Sequence, residues 1–179
     1  MELWDAYDRD GNLLGFDLVR GKKAPAYAWH LTVGIYPITE DGRMLVTRRH
    51  PMKAFGLKWE VTGGAVCKGE DALQGAVREL REETGLVIPA EKLIRIGMKA
   101  KENPGGYHTL YHTFLTFFDP EQQTIRLQEG ETVDYRLMPY EEFCRFVMTE
   151  DYVPSLRERF LEDQPVIERL MREHPAKGK

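Results

Sequence analysis

Three glutamates lie close together near the middle of the sequence. Glu79 is followed at the i+3 and i+4 positions by Glu82 and Glu83, a spacing that places all three carboxylates on one side of an α-helix within about one turn. Like charges so close together disfavour the helix by about a few tenths of a kcal/mol per pair. A divalent cation such as Mg²⁺ or Mn²⁺ would offset this repulsion, because hard cations bind several oxygen ligands. The spacing therefore indicates a metal site.

The segment that carries these glutamates is predicted to be a helix over residues 71–84. Asp71 can cap its start, Gln74 stands where a capping box needs it, and Gly85 follows as the stop. Apolar residues recur at the helical spacing that predicts a face packed on a sheet. They are Leu73, Ala76, Val77 and Leu80, with Thr84 in the same sector.

An acidic stripe on a helix also has an ordinary explanation. Arg78 and Arg81 alternate with the glutamates and can neutralise them on a solvated face, and the segment taken alone favours that interpretation. Ala72 and Gly75 lie in the acidic sector and favour a metal site instead, because small side chains there would leave room for the ion and for phosphate oxygens. The residues around the helix separate the two interpretations.

Those surrounding residues follow a fixed pattern. Five residues separate Gly64 from Glu70, and seven more precede the segment 78–86, which reads Arg-Glu-Leu-Arg-Glu-Glu-Thr-Gly-Leu. The pattern matches every fixed position of the Nudix box, and it falls on the predicted loop and helix. The sequence therefore resembles the Nudix hydrolase superfamily from about residue 27 to residue 143.

This resemblance implies a fold and an activity. The family fold is an α/β/α sandwich with a mixed β-sheet, and its members cleave a nucleoside diphosphate linked to another moiety. Water attacks phosphorus with the help of a divalent metal, which neutralises diphosphate oxygens and lowers the pKa of a bound water. The expected cofactor is Mg²⁺ or Mn²⁺, and the expected partner is a small nucleotide or another diphosphate.

The resemblance also assigns roles to residues of the box. Glu79, Glu82 and Glu83 resemble the metal ligands, and the carbonyl of Gly63 resembles a further one. Arg78 would orient the catalytic glutamates. Glu70 resembles the box acid at an outer position, where it either binds a metal-bound water or pairs with an arginine.

Family members often take one more acid from a late loop. Glu131 is the first candidate here and Glu129 the second, although a solvated loop acid is an equally ordinary interpretation. A carboxylate near the metal must accept the proton of the attacking water. Either Glu82 or Glu131 is expected to be this general base.

The substrate groups are less well defined. Arg48 and Arg49, followed by His50 and Lys53, can contact phosphates or form a solvated basic loop. Five strand aromatics can stack a base but are more typical of a core. They are Trp29, Tyr36, Trp59, Tyr107 and Tyr111. No signature fixes the leaving group.

A narrower resemblance provides an alternative. His30 and the segment 44–49 resemble isopentenyl-diphosphate isomerase, a Nudix-fold enzyme. The isomerase has its catalytic cysteine where this chain has Gly63 and a histidine ligand where it has Ala65, and the segment 107–112 lacks the two glutamates of the isomerase. Isomerase activity is therefore not favoured. A nucleotide-binding module without catalysis is the third class.

The remaining chain is expected to form one Nudix domain over residues 1–179. Residues 1–24 would be a β-hairpin and connector, and residues 150–179 a helical extension. Further strands are expected at 27–38, 44–47, 58–62, 93–99, 107–118, 124–127 and 133–138, with helices at 141–148, 155–161 and 166–172. The chain therefore predicts an α/β protein, a mixed sheet covered by helices.

Composition and charge bear on partners and location. A formal net charge of −4 argues against nucleic-acid binding, and the apolar runs are too short to cross a membrane. Two cysteines and an acidic start without a signal-peptide pattern predict a cytoplasmic protein. The amino-terminal hairpin predicts a homodimer, because exposed strands often pair across dimers.

Overall fold

The computed structural model describes residues 1–103 and 106–174. Its strands are β1 (Leu3–Tyr7), β2 (Leu13–Val19), β3 (Trp29–Thr39), β4 (Arg43–Arg49), β5 (Trp59–Glu60), β6 (Gly63–Ala65), β7 (Ile94–Lys101), β8 (His108–Phe118) and β9 (Thr132–Pro139). Its helices are α1 (Ala72–Thr84), α2 (Tyr140–Phe146) and α3 (Pro154–Glu173), with a short 3₁₀ turn at Ala90–Lys92. In the described part no helix combines the length and apolar character needed to cross a membrane. The last residues of the predicted extension, 175–179, lie outside the described residues.

Strand β3 organises the sheet. It pairs antiparallel with β1, β4 and β6, and parallel with β8 over its whole length, from Trp29 opposite His108 to Thr39 opposite Phe118. Strand β7 extends the sheet beyond β8, and β9 pairs with β4. One parallel pair among antiparallel ones confirms the predicted mixed sheet.

Helices cover both faces of this sheet. One apolar core joins Leu31 and Val33 of β3 to Ala76 and Leu80 of α1. The second core lies on the opposite face, where α2 and α3 pack against the strands through residues such as Phe160. The three layers make the α/β/α sandwich that the sequence resemblance implied.

Helix α1 begins and ends where the sequence predicts. The Asp71 side chain accepts the backbone N–H of Gln74, whose own side chain accepts the N–H of Asp71, and Gly85 ends the helix with φ +75°. The predicted role of the small residues is wrong, however. A Cβ at Gly75 would lie 2.8 Å from a methyl group of Val66, and Ala72 is buried in the core. Gly75 is small because Val66, which follows β6, packs against it.

The strand predicted at 124–127 is absent from the sheet described by the structure. The backbone N–H of Arg126 donates to the carbonyl of Thr84 at 2.8 Å, so this segment satisfies the end of α1 instead of a sheet edge. The strand predicted at 58–62 is shorter, since β5 covers only Trp59–Glu60 and pairs with β4. The prediction did not include β6, which follows at Gly63–Ala65 and pairs with β3.

The two helices predicted at 155–161 and 166–172 are one continuous helix, α3. Pro165 lies inside it and removes one backbone donor, and both Pro165 and Leu161, four residues earlier, are exposed. Phe160 and Ile167 bury the same side of the helix on either side of the proline. Shared burial keeps the helix whole.

Candidate active site

A cavity of about 490 Å³ lies between the Nudix-box segment, the amino-terminal hairpin and the loop before β9. The side chains and backbone that line it come from residues far apart in sequence. They are Glu2, Trp4, Arg20, His30, Lys53, Gly63, Gly64, Ala65, Cys67, Arg78, Glu79, Glu82, Glu83, Gln128 and Glu131. All the predicted metal ligands face this cavity except Glu70, which lies behind Arg78.

Arg78 ties three of the box glutamates together. Its guanidinium donates to Oε1 of Glu70 at 2.8 Å, to Oε1 of Glu79 at 2.8 Å and to Oε2 of Glu82 at 3.2 Å. It also donates to the carbonyl of Ala65 at 2.9 Å, which fixes it to the end of β6. Arg78 therefore orients the carboxylates of α1 against the loop.

Among the glutamates of the box, Glu70 is the one whose ionised form the protein stabilises. Burial alone would raise its pKa, but its contacts with Arg78 and with the backbone N–H of Cys67 outweigh burial and lower the pKa. Glu70 therefore stays ionised and anchors Arg78.

Glu83 points from α1 into the sheet. Its Oε2 accepts the hydroxyl of Thr62 at 2.8 Å and the backbone N–H of Gly63 at 3.2 Å, and only 4% of the residue is exposed. Burial, together with the nearby negative charge of Glu60, raises the pKa of Glu83 to about 7. An ionised Glu83 therefore lacks enough compensating positive charge in the protein alone.

Glu79 lies directly over the glycine that opens the box. A Cβ at Gly64 would lie 2.4 Å from Oε1 of Glu79, so only glycine leaves space for this carboxylate. Burial raises the pKa of Glu79 to about 7, with Arg78 opposing the shift and the charge of Glu83 adding to it. Glu79 and Glu83 are therefore two neighbouring carboxylates whose negative charges the protein does not fully neutralise.

These observations test whether a divalent cation fits the site. In the described part of the chain, no three acidic, histidine or cysteine side chains already converge as a coordination cluster, because Arg78 holds Glu79 and Glu82 while Thr62 holds Glu83. Their oxygens nevertheless line one cavity, beside the Gly63 backbone. Hard oxygen donors and two carboxylates with raised pKa values suit Mg²⁺ or Mn²⁺. The residues present therefore fit the ion.

The two candidate loop acids differ in position. Glu131 lines the cavity and forms an ion pair with Lys53, whereas Glu129 is exposed and is not among the lining residues. The backbone N–H of His50 donates to the carbonyl of Glu131 at 2.8 Å, which joins the two loops. Of the two acids, Glu131 is placed to act at the site.

The adjacent arginines of β4 have different partners. Arg49 donates from Nη1 to both carboxylate oxygens of Glu60, at 2.6 and 2.5 Å, and lines a second cavity beside the first. Arg48 lines neither of these two cavities, and its guanidinium lies 5.9 Å from the Trp59 ring centroid. The structure brings Arg49 towards the site and leaves Arg48 away from it.

Sequence reasoning missed the contribution of the amino-terminal hairpin. Arg20 donates to Glu2 at 2.6 Å, and both line the cavity. Trp4 stacks on His30 with ring centroids 4.2 Å apart, and burial lowers the pKa of His30 to about 4, so the ring is neutral near pH 7. The only signal in the sequence was the basic stretch at 20–23, which the prediction treats as a connector.

The strand aromatics belong to the core, as the sequence favours. Trp29, Tyr36, Trp59 and Tyr111 are buried. Tyr107 is partly buried, and its hydroxyl donates to the carbonyl of Val19 at 2.9 Å, which fastens the hairpin to the sheet. The rings that line the acidic cavity are those of Trp4 and His30, and the prediction does not include Trp4.

Comparison with known proteins identifies the family. A family profile described as the Nudix domain matches residues 28–163. A Nudix hydrolase of Listeria monocytogenes is 28% identical over 160 residues, covering 86% of this chain and 89% of the relative. Nudix hydrolase 2 of Arabidopsis thaliana is 28% identical over 130 residues, covering 72% of this chain and 46% of that protein.

Solved structures share the fold. A Deinococcus radiodurans protein superimposes with a TM-score of 0.67 at 19% identity, covering 88% of this chain and 98% of that one. The Nudix domain of Shewanella oneidensis NrtR, solved with ADP-ribose, gives 0.60 at 19% identity, covering 84% and 92%. The chain belongs to the Nudix family. It is a Nudix hydrolase, an enzyme of a family that cleaves diphosphate linkages.

Proposed function

We propose that this enzyme hydrolyses the diphosphate linkage of a nucleoside diphosphate joined to another moiety, with Mg²⁺ or Mn²⁺ as its cofactor. The observation that carries the proposal is that Glu79, Glu82 and Glu83 line one cavity together with Gly63. When bound, the metal would neutralise the diphosphate oxygens and lower the pKa of the attacking water.

Residues of the chain are proposed to bind the metal, orient the carboxylates and accept a proton. Glu79, Glu82, Glu83 and the Gly63 carbonyl are proposed to hold the metal, and Arg78, anchored by Glu70, to orient the glutamates. Glu82 or Glu131 is proposed to accept the proton of the attacking water, because both carboxylates line the cavity and neither is fully buried.

The test begins with Glu82→Gln. The Glu82 side chain is 41% exposed and its pairing with Arg78 is long, at 3.2 Å, so the free energy of unfolding should change by less than about 0.5 kcal/mol. Loss of a metal ligand should lower metal-dependent turnover at least about 100-fold. The measurement is phosphate or monophosphate release from a library of nucleoside diphosphate derivatives, with urea unfolding as the check on the fold.

Two controls sharpen the comparison. Glu91→Gln removes an exposed carboxylate of the 3₁₀ turn, outside the cavity, and should leave turnover unchanged. Glu129→Gln is the control for Glu131→Gln, since both acids lie in one loop and only Glu131 lines the cavity. Turnover by Glu82→Gln at the wild-type rate would reject the proposed function.

A further inference from the structure

A second cavity, of about 430 Å³, adjoins the acidic one. The two share Arg20, Lys53 and the backbone of β6, so a single extended ligand can occupy both. Thr32 of β3 and Tyr111 of β8, which are paired across the two strands, line the second cavity, and Arg159 of α3 completes its wall.

The second cavity has an excess of positive side chains, whereas the acidic cavity has an excess of negative ones. Five cationic side chains line the second cavity, with the single carboxylate of Glu60. The five are Arg20, Arg49, Lys53, Lys101 and Arg159. The acidic cavity has five glutamates and three cationic side chains. A ligand that spans both would meet metal-binding acids at one end and a positive potential at the other.

Two of these five cations are available to a ligand. Lys101 and Arg159 form no ion pair with a carboxylate within residues 1–103 and 106–174. The other three are paired, each with one glutamate. Two unpaired cations facing one cavity match the charge of a phosphate monoester, which is between about −1.5 and −2 near pH 7.

Arg159 is also held in place for such a contact. Its guanidinium lies 3.4 Å from the Tyr111 ring centroid. That ring is buried, with 6% of the residue exposed. A Cβ at Gly34 would lie 1.7 Å from its hydroxyl, so the phenol occupies space that only glycine leaves free. The guanidinium also hydrogen-bonds the Tyr111 hydroxyl. A guanidinium held against a ring in this way is preorganised, and its remaining N–H donors can bind a phosphate.

The wall between these cations has unused hydrogen-bonding groups. The buried hydroxyls of Thr32 and Thr109, both lining the second cavity, have no hydrogen-bond partner among the described residues. Buried polar atoms seldom remain without a partner. This wall is therefore suited to polar contents.

We infer that the second cavity is a specificity site for a phosphate monoester carried by the substrate apart from its diphosphate linkage. The inference rests on the proposed function in one respect, that the diphosphate lies in the acidic cavity. Arg159 and Lys101 bind the distal phosphate, and Arg20 and Lys53 lie where the two cavities meet.

The test is equilibrium binding to the full chain, by calorimetry in chelator so that turnover does not interfere. Two pairs of probes differ by one phosphate monoester: coenzyme A with dephospho-coenzyme A, and NADPH with NADH. We expect the phosphorylated member of each pair to bind at least about tenfold more tightly. Equal binding within both pairs, or no binding by any probe, would overturn the inference.

Variants assign the preference to residues. Arg159→Gln should reduce the preference to less than about threefold, and Arg159→Lys should restore part of it, because the charge is kept while the planar fork is lost. Arg169→Gln is the matched control, since Arg169 lies on the same helix, is exposed and is 4.0 Å from Glu173. If Arg159→Gln does not fold, Lys101→Gln provides the same comparison from β7. A preference that survives in both Arg159→Gln and Lys101→Gln contradicts the inference.

Kinetics distinguish a failure of this inference from a failure of the proposed function. In Mg²⁺, Arg159→Gln should raise KM for the phosphorylated member of a pair and leave kcat almost unchanged. If the binding preference persists while neither member is hydrolysed by the wild type, the specificity site stands and the proposed function fails. If both members are hydrolysed with equal KM, the inference fails and the proposed function stands.

Discussion

Replacing Gly64 by alanine is expected to separate metal binding from stability. The new Cβ would lie 2.4 to 2.6 Å from the carboxylate atoms of Glu79, whereas ordinary contacts begin at 3.4 Å, so the carboxylate must move by about 1 Å. It can do so, because it is the end of a flexible side chain. At Gly63 the nearest atom to a new Cβ is the backbone carbonyl oxygen of Val33, at 2.2 Å, which belongs to the centre of the sheet.

The two substitutions should therefore have different magnitudes. Moving Glu79 weakens its 2.8 Å contact with Arg78, which is worth about 1.5–3 kcal/mol. The move also relieves the burial that raises the pKa of Glu79 to about 7, and alanine restricts the unfolded chain by about 0.4–1 kcal/mol. We expect Gly64→Ala to change the free energy of unfolding by less than about 1 kcal/mol and Gly63→Ala to lower it by about 3 kcal/mol.

Gly64→Ala should affect activity much more than stability. Displacing the Glu79 carboxylate, a proposed metal ligand, by about 1 Å should lower kcat/KM about 100-fold and raise the Mg²⁺ concentration needed for half-maximal rate. Urea unfolding in chelator measures stability, and initial rates across a Mg²⁺ series measure the site. Wild-type turnover and Mg²⁺ dependence in Gly64→Ala would refute the reasoning, as would Gly63→Ala with wild-type stability.

Three further predictions concern stability. In chelator, the free energy of unfolding should fall as pH rises from about 6.5 to about 8, because the raised pKa values of Glu79 and Glu83 let the folded chain hold protons that the unfolded chain releases. Below that range His30 and His112, whose pKa values burial lowers to about 4, act in the opposite direction, because the unfolded chain binds protons that the folded imidazoles do not. Saturating Mg²⁺ should reduce this fall, and a rise across the same range would contradict it. Leu57→Gly should raise the free energy of unfolding, measured in urea, by about 0.5–1 kcal/mol. Leu57 has φ +66°, and the strain of a left-handed leucine is larger than the conformational entropy that a glycine loses on folding. A variant less stable than the wild type would refute this. Asp71→Ala should cost about 1 kcal/mol by thermal or urea unfolding through loss of the helix cap, and an unchanged value would show that the cap contributes little.

Local patterns in the sequence were sufficient to predict α1. Its cap, its capping box and its terminal glycine all act within a few residues, so the bounds match the structure. Local patterns fail at Pro165, where they predict that the helix breaks. α3 is continuous there because Phe160 and Ile167, on either side of the proline, are buried in the same core. The segment 124–127 has the alternation of a strand but forms no strand in the structure, and the backbone N–H of Arg126 bonds to the end of α1 instead.

The walls of the cavities could not be predicted in the same way. Glu2 and Arg20 reach the acidic cavity because contacts between residues far apart in sequence hold the hairpin on the sheet, among them the pairing of β1 with β3 and the bond from the Tyr107 hydroxyl to the carbonyl of Val19. Arg159 reaches the second cavity because Phe160, the next residue, is buried on the same helix. Such positions depend on tertiary packing, which no short pattern records. The box is readable because its spacing is local to one loop and one helix.

The amino-terminal hairpin has a consequence for how enzymes of this kind diverge. The Nudix profile begins at residue 28, yet Glu2, Trp4 and Arg20 form part of the wall around the glutamates. Two chains with identical boxes can therefore present different entrances to their substrates. Replacement of this peripheral hairpin can alter the wall of the cavity while the glutamates of α1 remain untouched, so a shared box is a poor guide to a shared substrate.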